Sequence, residues 1–533
     1  MTTDPTPKVR WWPAPVIAAV GGIALAAAWH MPNLIRVAIG IVTLLALAAW
    51  LVEFSNLTRG AKAAIALVVA VLLIAAWQSV RVDGFSGDAR PIWAWRWSPS
   101  PVDKFRAAEP VEKAALESLA SGQFDSSTHD YPGFLGAQRD ATVTGVALAT
   151  DWEAQPPKQL WRHAVGPGWS SFAVVGGIAV TQEQRGDAEA VVCYELETGR
   201  EIWEHLDEGV HFSETYGGDG PRATPTIADR RVYALGATGL LNCLDAETGQ
   251  PAWSRNIIED APGARVPIWG FSNSPLVYDN VVVVNAGGTE DRSVIAYDCE
   301  TGEPAWHAGN SEAAYSSPML VTLAGVRQVL LLNGRGLEGY AADGSGRLWQ
   351  YPWETNGGAR TNIPQPIYLP GDGETADRVF ISTGYGKGCA LVEITRENEE
   401  FQVRDVFPPN RNLKSKFSNV IHVDGVIYGF DDGVAAALDL SNGRRAWKAR
   451  TDYGHGQLLL VGDLILVQAE PGHVALMRPD PARQIELTRF APLAEKSWNN
   501  PVLVGSRLLV RNDREAACYE LPLAEPASAS SAE

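Results

Sequence analysis

Along most of the chain, short apolar runs alternate with turn-forming residues at strand spacing, and one phrase keeps returning. It reads CYELETGREIW at Cys193–Trp203, CLDAETGQPAW at Cys243–Trp253, AYDCETGEPAW at Ala296–Trp306 and ALDLSNGRRAW at Ala437–Trp447. A looser copy, GYAADGSGRLW, runs from Gly339 to Trp349. Each copy predicts a buried strand, a tight turn and a second strand. The acid (Glu195, Asp245, Asp298, Asp439) can accept hydrogen bonds from turn amides, and the glycine (Gly199, Gly249, Gly302, Gly443) tolerates positive φ. The tryptophan opens an outer strand, where its large surface can pack between neighbouring units. A phrase recurring at about 40–50 residues predicts a stacked or radial array, because one unit cannot bury its own apolar face.

The repeats can also be counted from their other end. A polar cluster followed by an apolar strand begins at Trp169, Arg222, Ser272, Tyr315, Thr361, Phe417, His455 and Trp498, which makes eight. Copies five and seven lack the tryptophan. The eighth unit ends soon after Cys518–Leu521 without an outer strand, while KQLWRHAV at Lys158–Val165 has an outer-strand tryptophan and no repeat before it. Pairing that first strand with the last unit closes a ring and removes its open edges. The expectation is an all-β fold, an eight-bladed β-propeller over residues 158–521. The phrase resembles the tryptophan-docking repeat of PQQ-like, quinoprotein-type β-propellers, roughly A-x-D-x-x-T-G-x-x-x-W. Asp130–Asp140 (DYPGFLGAQRD) resembles the lead-in that precedes such propellers.

The N-terminus follows another pattern. Trp11–Ile35 carries no Asp, Glu, Lys or Arg, Val37–Val52 lies between Arg36 and Glu53, and Ala63–Val80 lies between Lys62 and Arg81. Each approaches the ~20 residues that span a bilayer. Residues 1–80 therefore predict a membrane anchor of about three transmembrane helices, near 12–31, 34–52 and 62–80. The first could instead be a signal peptide, given Lys8, Arg10 and the small residues Ala24–Ala28. Basic flanks tie between the two orientations, and the first helix favours an N-terminus inside. That places the propeller on the extracytoplasmic (periplasmic) side of the inner membrane. Residues 81–157 predict a linker with a short helix at Pro110–Leu119, and 522–533 a disordered tail.

Composition narrows the partners. The net charge of −18 without a basic tract argues against nucleic acid. Cys193, Cys243 and Cys518 share a repeat slot filled elsewhere by Ala296, Gly339 and Ala437, so they mark a small buried position and carry no redox information.

Candidate chemistry follows from the architecture, because the innermost strands of a propeller all start at one mouth of the central channel. The expected ligand-binding residues are Trp169, Ser170, Arg222, Asn273, Asn362, Asn419, His455, Trp498 and Asn499. The same residues could simply satisfy strand-end backbone groups. Mouth loops bring Arg222, Arg265, Arg360, Arg411, Lys414 and Lys416, which would suit an anion, together with acids that would make a mixed rim. The resemblance implies two functions. One is a non-catalytic scaffold in the cell envelope, partnered by membrane lipid and envelope proteins. The other is a membrane dehydrogenase using PQQ and Ca²⁺, for which Glu214 and Asp219 are the best-placed catalytic candidates; no metal ligand matches residue by residue. The adjacent-cysteine pair of the alcohol dehydrogenase branch is absent.

Overall fold

The structure is a computed structural model and describes residues 13–27, 33–54, 58–99, 105, 130–355, 360–372 and 375–524. It divides into two compact units: the N-terminal residues to Phe85 with Arg90–Ser100, and Ser86–Ala89 with the chain from Pro101 onward.

In the first unit, helices α1 (Pro13–Ala27), α2 (Asn33–Phe54) and α3 (Arg59–Ser79) occupy the expected apolar stretches. The expectation of about three membrane spans is corrected. Among the described residues only α3 is long and apolar enough to cross a membrane. The 15 described residues of α1 rise about 22 Å, against a hydrocarbon layer of ~30 Å. The describable apolar part of α2 is Ile39–Trp50. Thr58 caps α3 by accepting from the Ala61 amide. A hairpin of Val80–Phe85 and Pro91–Trp95 follows. The short helix expected at Pro110–Leu119 and the tail 525–533 lie outside the described residues.

The second unit carries eight antiparallel sheets of the expected kind. Blade 1 is Ala173–Val175, Ile178–Arg185, Ala188–Glu195 and Glu201–Asp207, and blades 2 to 7 follow the same meander. Blade 8 consists of Val502–Val504, Arg507–Arg511 and Glu515–Glu520, completed by Lys158–Ala164 in antiparallel register from Glu520↔Lys158 to Glu515↔Ala164. The ring is closed by the strand that the sequence left without a partner.

The repeated phrase folds as its chemistry requires. Asp245 Oδ1 accepts from the amides of Glu247 and Thr248 at 3.1 and 3.0 Å, and Asp298 repeats this with Glu300 and Thr301. The docking tryptophans of the close copies reach the next blade, whereas Trp349 of the looser copy donates to Gln328 Oε1 within its own blade at 2.6 Å. Trp161, Trp203 and Trp253 donate their indole N–H to the carbonyls of Leu196, Ala246 and Cys299 at 2.8, 3.0 and 2.9 Å. Their rings lie on the turn glycines Gly199, Gly249 and Gly302, where a Cβ would stand 2.5–2.6 Å from the ring. Where blade 5 lacks a tryptophan, Phe407 covers Gly443 in the same way. At blade 7, which also lacks the tryptophan, the buried Trp152 meets Phe490 edge-on at 5.4 Å.

The lead-in also belongs to the ring. Tyr131 bridges to Val174 of blade 1, and Thr142–Val143 adds a parallel strand to Leu460–Val461 of blade 7. Between them the buried Arg139 donates to Thr226 Oγ1 of blade 2 at 3.4 Å, to the carbonyls of Ser274 and Pro318 at 3.0 Å and to that of Pro275, tying blades 2 to 4 together. Burial pulls its pKa down to about 9.

Candidate functional site at the channel mouth

Each polar cluster divides its work between neighbouring residues. One set forms a belt from blade to blade. The Ser171 amide donates to Thr224 Oγ1 (3.1 Å), that of Thr224 to Ser274 Oγ (2.9 Å), and that of Ser274 to Ser317 Oγ (2.9 Å). On the other side the Gln365 amide donates to Asn419 Oδ1 (3.0 Å) and the Asn419 amide to Gln457 Oε1 (3.2 Å). Ser171 Oγ donates to the Asn500 carbonyl, joining blades 1 and 8. Buried strand-entry backbone is satisfied in this way.

Several of the expected ligand-binding residues share that structural work. Asn273 exchanges hydrogen bonds with the backbone of Asn285 (3.1 and 2.9 Å), and Asn362 Nδ2 donates to the carbonyls of Asn333 and Trp353. Asn499 Nδ2 donates to the Ser170 carbonyl, while Ser170 Oγ accepts from the Gln182 amide. All four are buried and off the cavity lining.

Trp169, Arg222, Asn419 and Trp498 do line a central cavity of about 470 Å³. Its walls are aromatic. Trp498 stands 4.7 Å from Trp169 and 5.0 Å from Phe417, on the side of blades 1, 8 and 6. Across from them, Trp269 packs on Tyr315 at 5.1 Å and on Tyr385 at 5.8 Å. Phe134 of the lead-in and Ile363 add apolar surface, and Asn419, Gln457 and Asn500 supply polar groups. Sequence reasoning missed Trp269 and Tyr385, which come from irregular loops with no repeat register to mark them.

Charges at the mouth are mostly engaged with the protein itself. Arg222 donates to the carbonyls of Gly220 and Gly218 at 2.6 and 3.2 Å and lies over Phe212, and burial lowers its pKa to about 10. Lys496 Nζ stands 3.9 Å from the Trp498 ring, and burial lowers its pKa too. Lys416 Nζ donates to the Gly87 carbonyl at 3.0 Å. Arg411 donates to the Gly386 carbonyl, Lys414 pairs with Asp431, Arg360 pairs with Glu312, and Arg265 is exposed. Glu214 spends its two oxygens on the Tyr216 and Gly217 amides (2.9 and 2.7 Å), and Asp219 stands 3.9 Å from His211; neither lines the cavity.

His455 sits just outside the lining, with its side chain 2% exposed, and its Nε2 lies 3.0 Å from Asp88 Oδ1. Among the described residues Asp88 is the one carboxylate lining the cavity, and it faces His455 and Lys416.

A closed ring of eight blades, most of them tryptophan-docked, around such a mouth defines an eight-bladed PQQ-like β-propeller. A family model described as outer membrane protein assembly factor BamB matches residues 139–256 and 187–449. Together these matches span more than half of the chain, which belongs to this PQQ-like repeat family. Two quinohemoprotein alcohol dehydrogenases of Pseudomonas putida are also similar. ADH IIB is 26% identical over 30% of this chain and 22% of that protein, and ADH-IIG is 30% identical over 23% and 17%. The matched region thus spans about a fifth of these relatives. The crystal structure of quinohemoprotein alcohol dehydrogenase from Comamonas testosteroni shares the fold, with a TM-score of 0.55 at 13% identity, over 77% of this chain and 82% of that one.

Proposed function

We propose that this protein is a membrane-attached, non-catalytic interaction module of the cell envelope, with its propeller outside the cytoplasm. The observation that carries this is how the mouth uses its acids. A general base for alcohol oxidation must come within hydrogen-bond reach of the proton it removes. Glu214 and Asp219 lie off the cavity lining, and Asp88 faces two nitrogen-bearing side chains. The family's description as an assembly factor supports the same reading, and α3 is the helix that would attach the chain.

One observation favours a second reading, the PQQ-dependent dehydrogenase. Facing aromatic walls with Lys416 and Arg222 at the rim fit a flat polyanion. The ion that would accompany it fits less well. Ca²⁺ takes roughly six to eight oxygen ligands, commonly several carboxylates. Among the described residues no three His, Cys, Asp or Glu side chains gather at one point.

Titration of the full-length protein in detergent with PQQ and Ca²⁺, followed by absorbance, separates the two. No saturable binding at micromolar cofactor is expected. Tight binding weakened by Lys416→Met would replace the scaffold with the dehydrogenase. Lys416 is the better probe, because Arg222 ties together its own mouth loop through the Gly218 and Gly220 carbonyls, whereas Lys416 reaches the separate loop Ser86–Ala89 through the Gly87 carbonyl. For the compartment, a reporter fused after Glu533 should be active only outside the cytoplasm, and cytoplasmic activity would overturn that assignment.

A further inference from the structure

The loop Ser86–Ala89 belongs to the propeller's compact unit and lines its cavity. It is held like a bound peptide. The Gly87 amide donates to Glu470 Oε1 at 2.6 Å, and the Gly87 carbonyl accepts from Lys416 Nζ at 3.0 Å. The next residue, Asp88, meets His455 Nε2 at 3.0 Å and Lys416 Nζ at 3.5 Å. Glu470 is only 9% exposed and is fixed for this role, since it also accepts from the His455 amide (2.9 Å) and Trp498 Nε1 (3.1 Å).

The seat also selects by shape. A Cβ on Gly87 would stand 2.2 Å from His455 Cδ2 and 2.7 Å from Cγ. That ring has little room to yield, because its backbone is tied to Glu470 and Phe417 packs 5.3 Å away. Glycine alone fits, followed by an acid. Beside the seat, the aromatic cavity opens to a rim where Tyr216 and Tyr385 are exposed by 51 and 46%. Exposed apolar surface of this kind at a concave mouth marks an interaction site.

We propose that the mouth is a recognition seat for a glycine–aspartate segment of a partner protein, flanked by apolar side chains, and that Ser86–Ala89 is its tethered occupant. This rests on the interaction-module reading. The partner's backbone would take the Glu470 and Lys416 hydrogen bonds, its aspartate would replace Asp88, and its apolar neighbours would enter between Trp169 and Trp269. Although the chain is acidic as a whole, Lys416 and His455 make the seat itself complementary to an acid. A tethered occupant competes at millimolar effective concentration, so a free peptide binds poorly until the tether is dislodged.

The test uses the full-length protein in detergent and a fluorescent peptide copying Phe85–Ala89 (FSGDA). Gly87→Val should push the chain's own segment off His455 and tighten peptide binding at least tenfold over wild type. Peptides with alanine for the glycine, or asparagine for the aspartate, should bind at least tenfold more weakly. Adding Lys416→Met to Gly87→Val should remove the binding. If Gly87→Val does not fold, Asp88→Asn, which weakens the tethered occupant and leaves the seat intact, should still raise peptide affinity severalfold. Absence of saturable binding up to millimolar in whichever folded variant is used, or equal binding of all three peptides, would overturn the seat. The cofactor titration reports separately. PQQ binding by wild type would sink the scaffold reading whatever the peptide does, and peptide failure without PQQ binding would remove the seat alone.

Discussion

Gly249 shows how one atom can hold two blades together. Its φ is +69°, and an added Cβ would stand 2.5 and 2.6 Å from ring carbons of Trp203 in the preceding blade. Gly505 has φ +57° with nothing within 4 Å of the same position. Alanine at either site meets left-handed backbone strain of roughly 1–2 kcal/mol. Only at Gly249 must it also push a packed indole, adding about 1–3 kcal/mol of overpacking. Gly249→Ala is therefore expected to lose more stability in denaturant melts than Gly505→Ala. Equal losses would mean the ring moves aside freely. The glycine, acid and tryptophan were all legible because their chemistry is local and repeats. The site was legible only in part. Polar clusters marked the strand entries, but one residue decides between wall and belt: Trp169 lines the cavity while Ser170 and Ser171 bind neighbouring strands. The seat was less legible still, because its Gly87 and Asp88 precede the first repeat and no periodicity connects them with His455.

Among the elements, the lead-in departs most from its reading as a linker, since from Tyr131 onward it serves as parts of blades. The sequence showed that the seventh repeat lacks its tryptophan but not what replaces it, because the substitute comes from another part of the chain. Trp152 is 3% exposed, its amide donates to Thr488 Oγ1 at 3.2 Å, and Phe490 bridges its ring to Tyr519 of blade 8 at 5.0 Å. If it does the docking work of that junction, Trp152→Ala should cost about 3–5 kcal/mol, comparable to Trp203→Ala within a regular repeat. Thermal midpoints of the two variants measure this. A nearly neutral Trp152→Ala would make the lead-in an accessory to a ring that holds without it. The helices failed in the opposite direction. Apolar composition marked each stretch, yet among the described residues only α3 combines the length and the apolar character of a span, and composition alone does not give a helix its length.

For the whole molecule, the decisive feature is that the chain's first propeller strand completes its last blade. A ring of blades gains from closure because each docking tryptophan needs a following blade, and an open ring leaves two edges unpaired. Here the closure is Lys158–Ala164 on Glu515–Glu520, with Trp161 on Gly199 beyond it. Replacing Lys158–Ala164 by a proline-containing glycine–serine linker keeps the lead-in attached while removing the ladder and the tryptophan. The expected result is loss of the cooperative melt. The repeat itself supplies the rescue. Cys518–Leu521 reads CYEL, as does Cys193–Leu196, and in blade 1 those residues lead through the turn Glu197-Thr198-Gly199 into Arg200, which faces Glu195 as Lys158 faces Glu520. Since Glu520 pairs with Lys158 in antiparallel register, the same turn followed by KQLWRHA, appended after Leu521, would return the strand to its place as an ordinary hairpin. A cooperative melt recovered by the appended strand, but not by a version with alanine for its tryptophan, would show that closure acts through docking as well as pairing. If the linker variant melts like wild type, the ring does not depend on its closing strand and the argument from open edges fails.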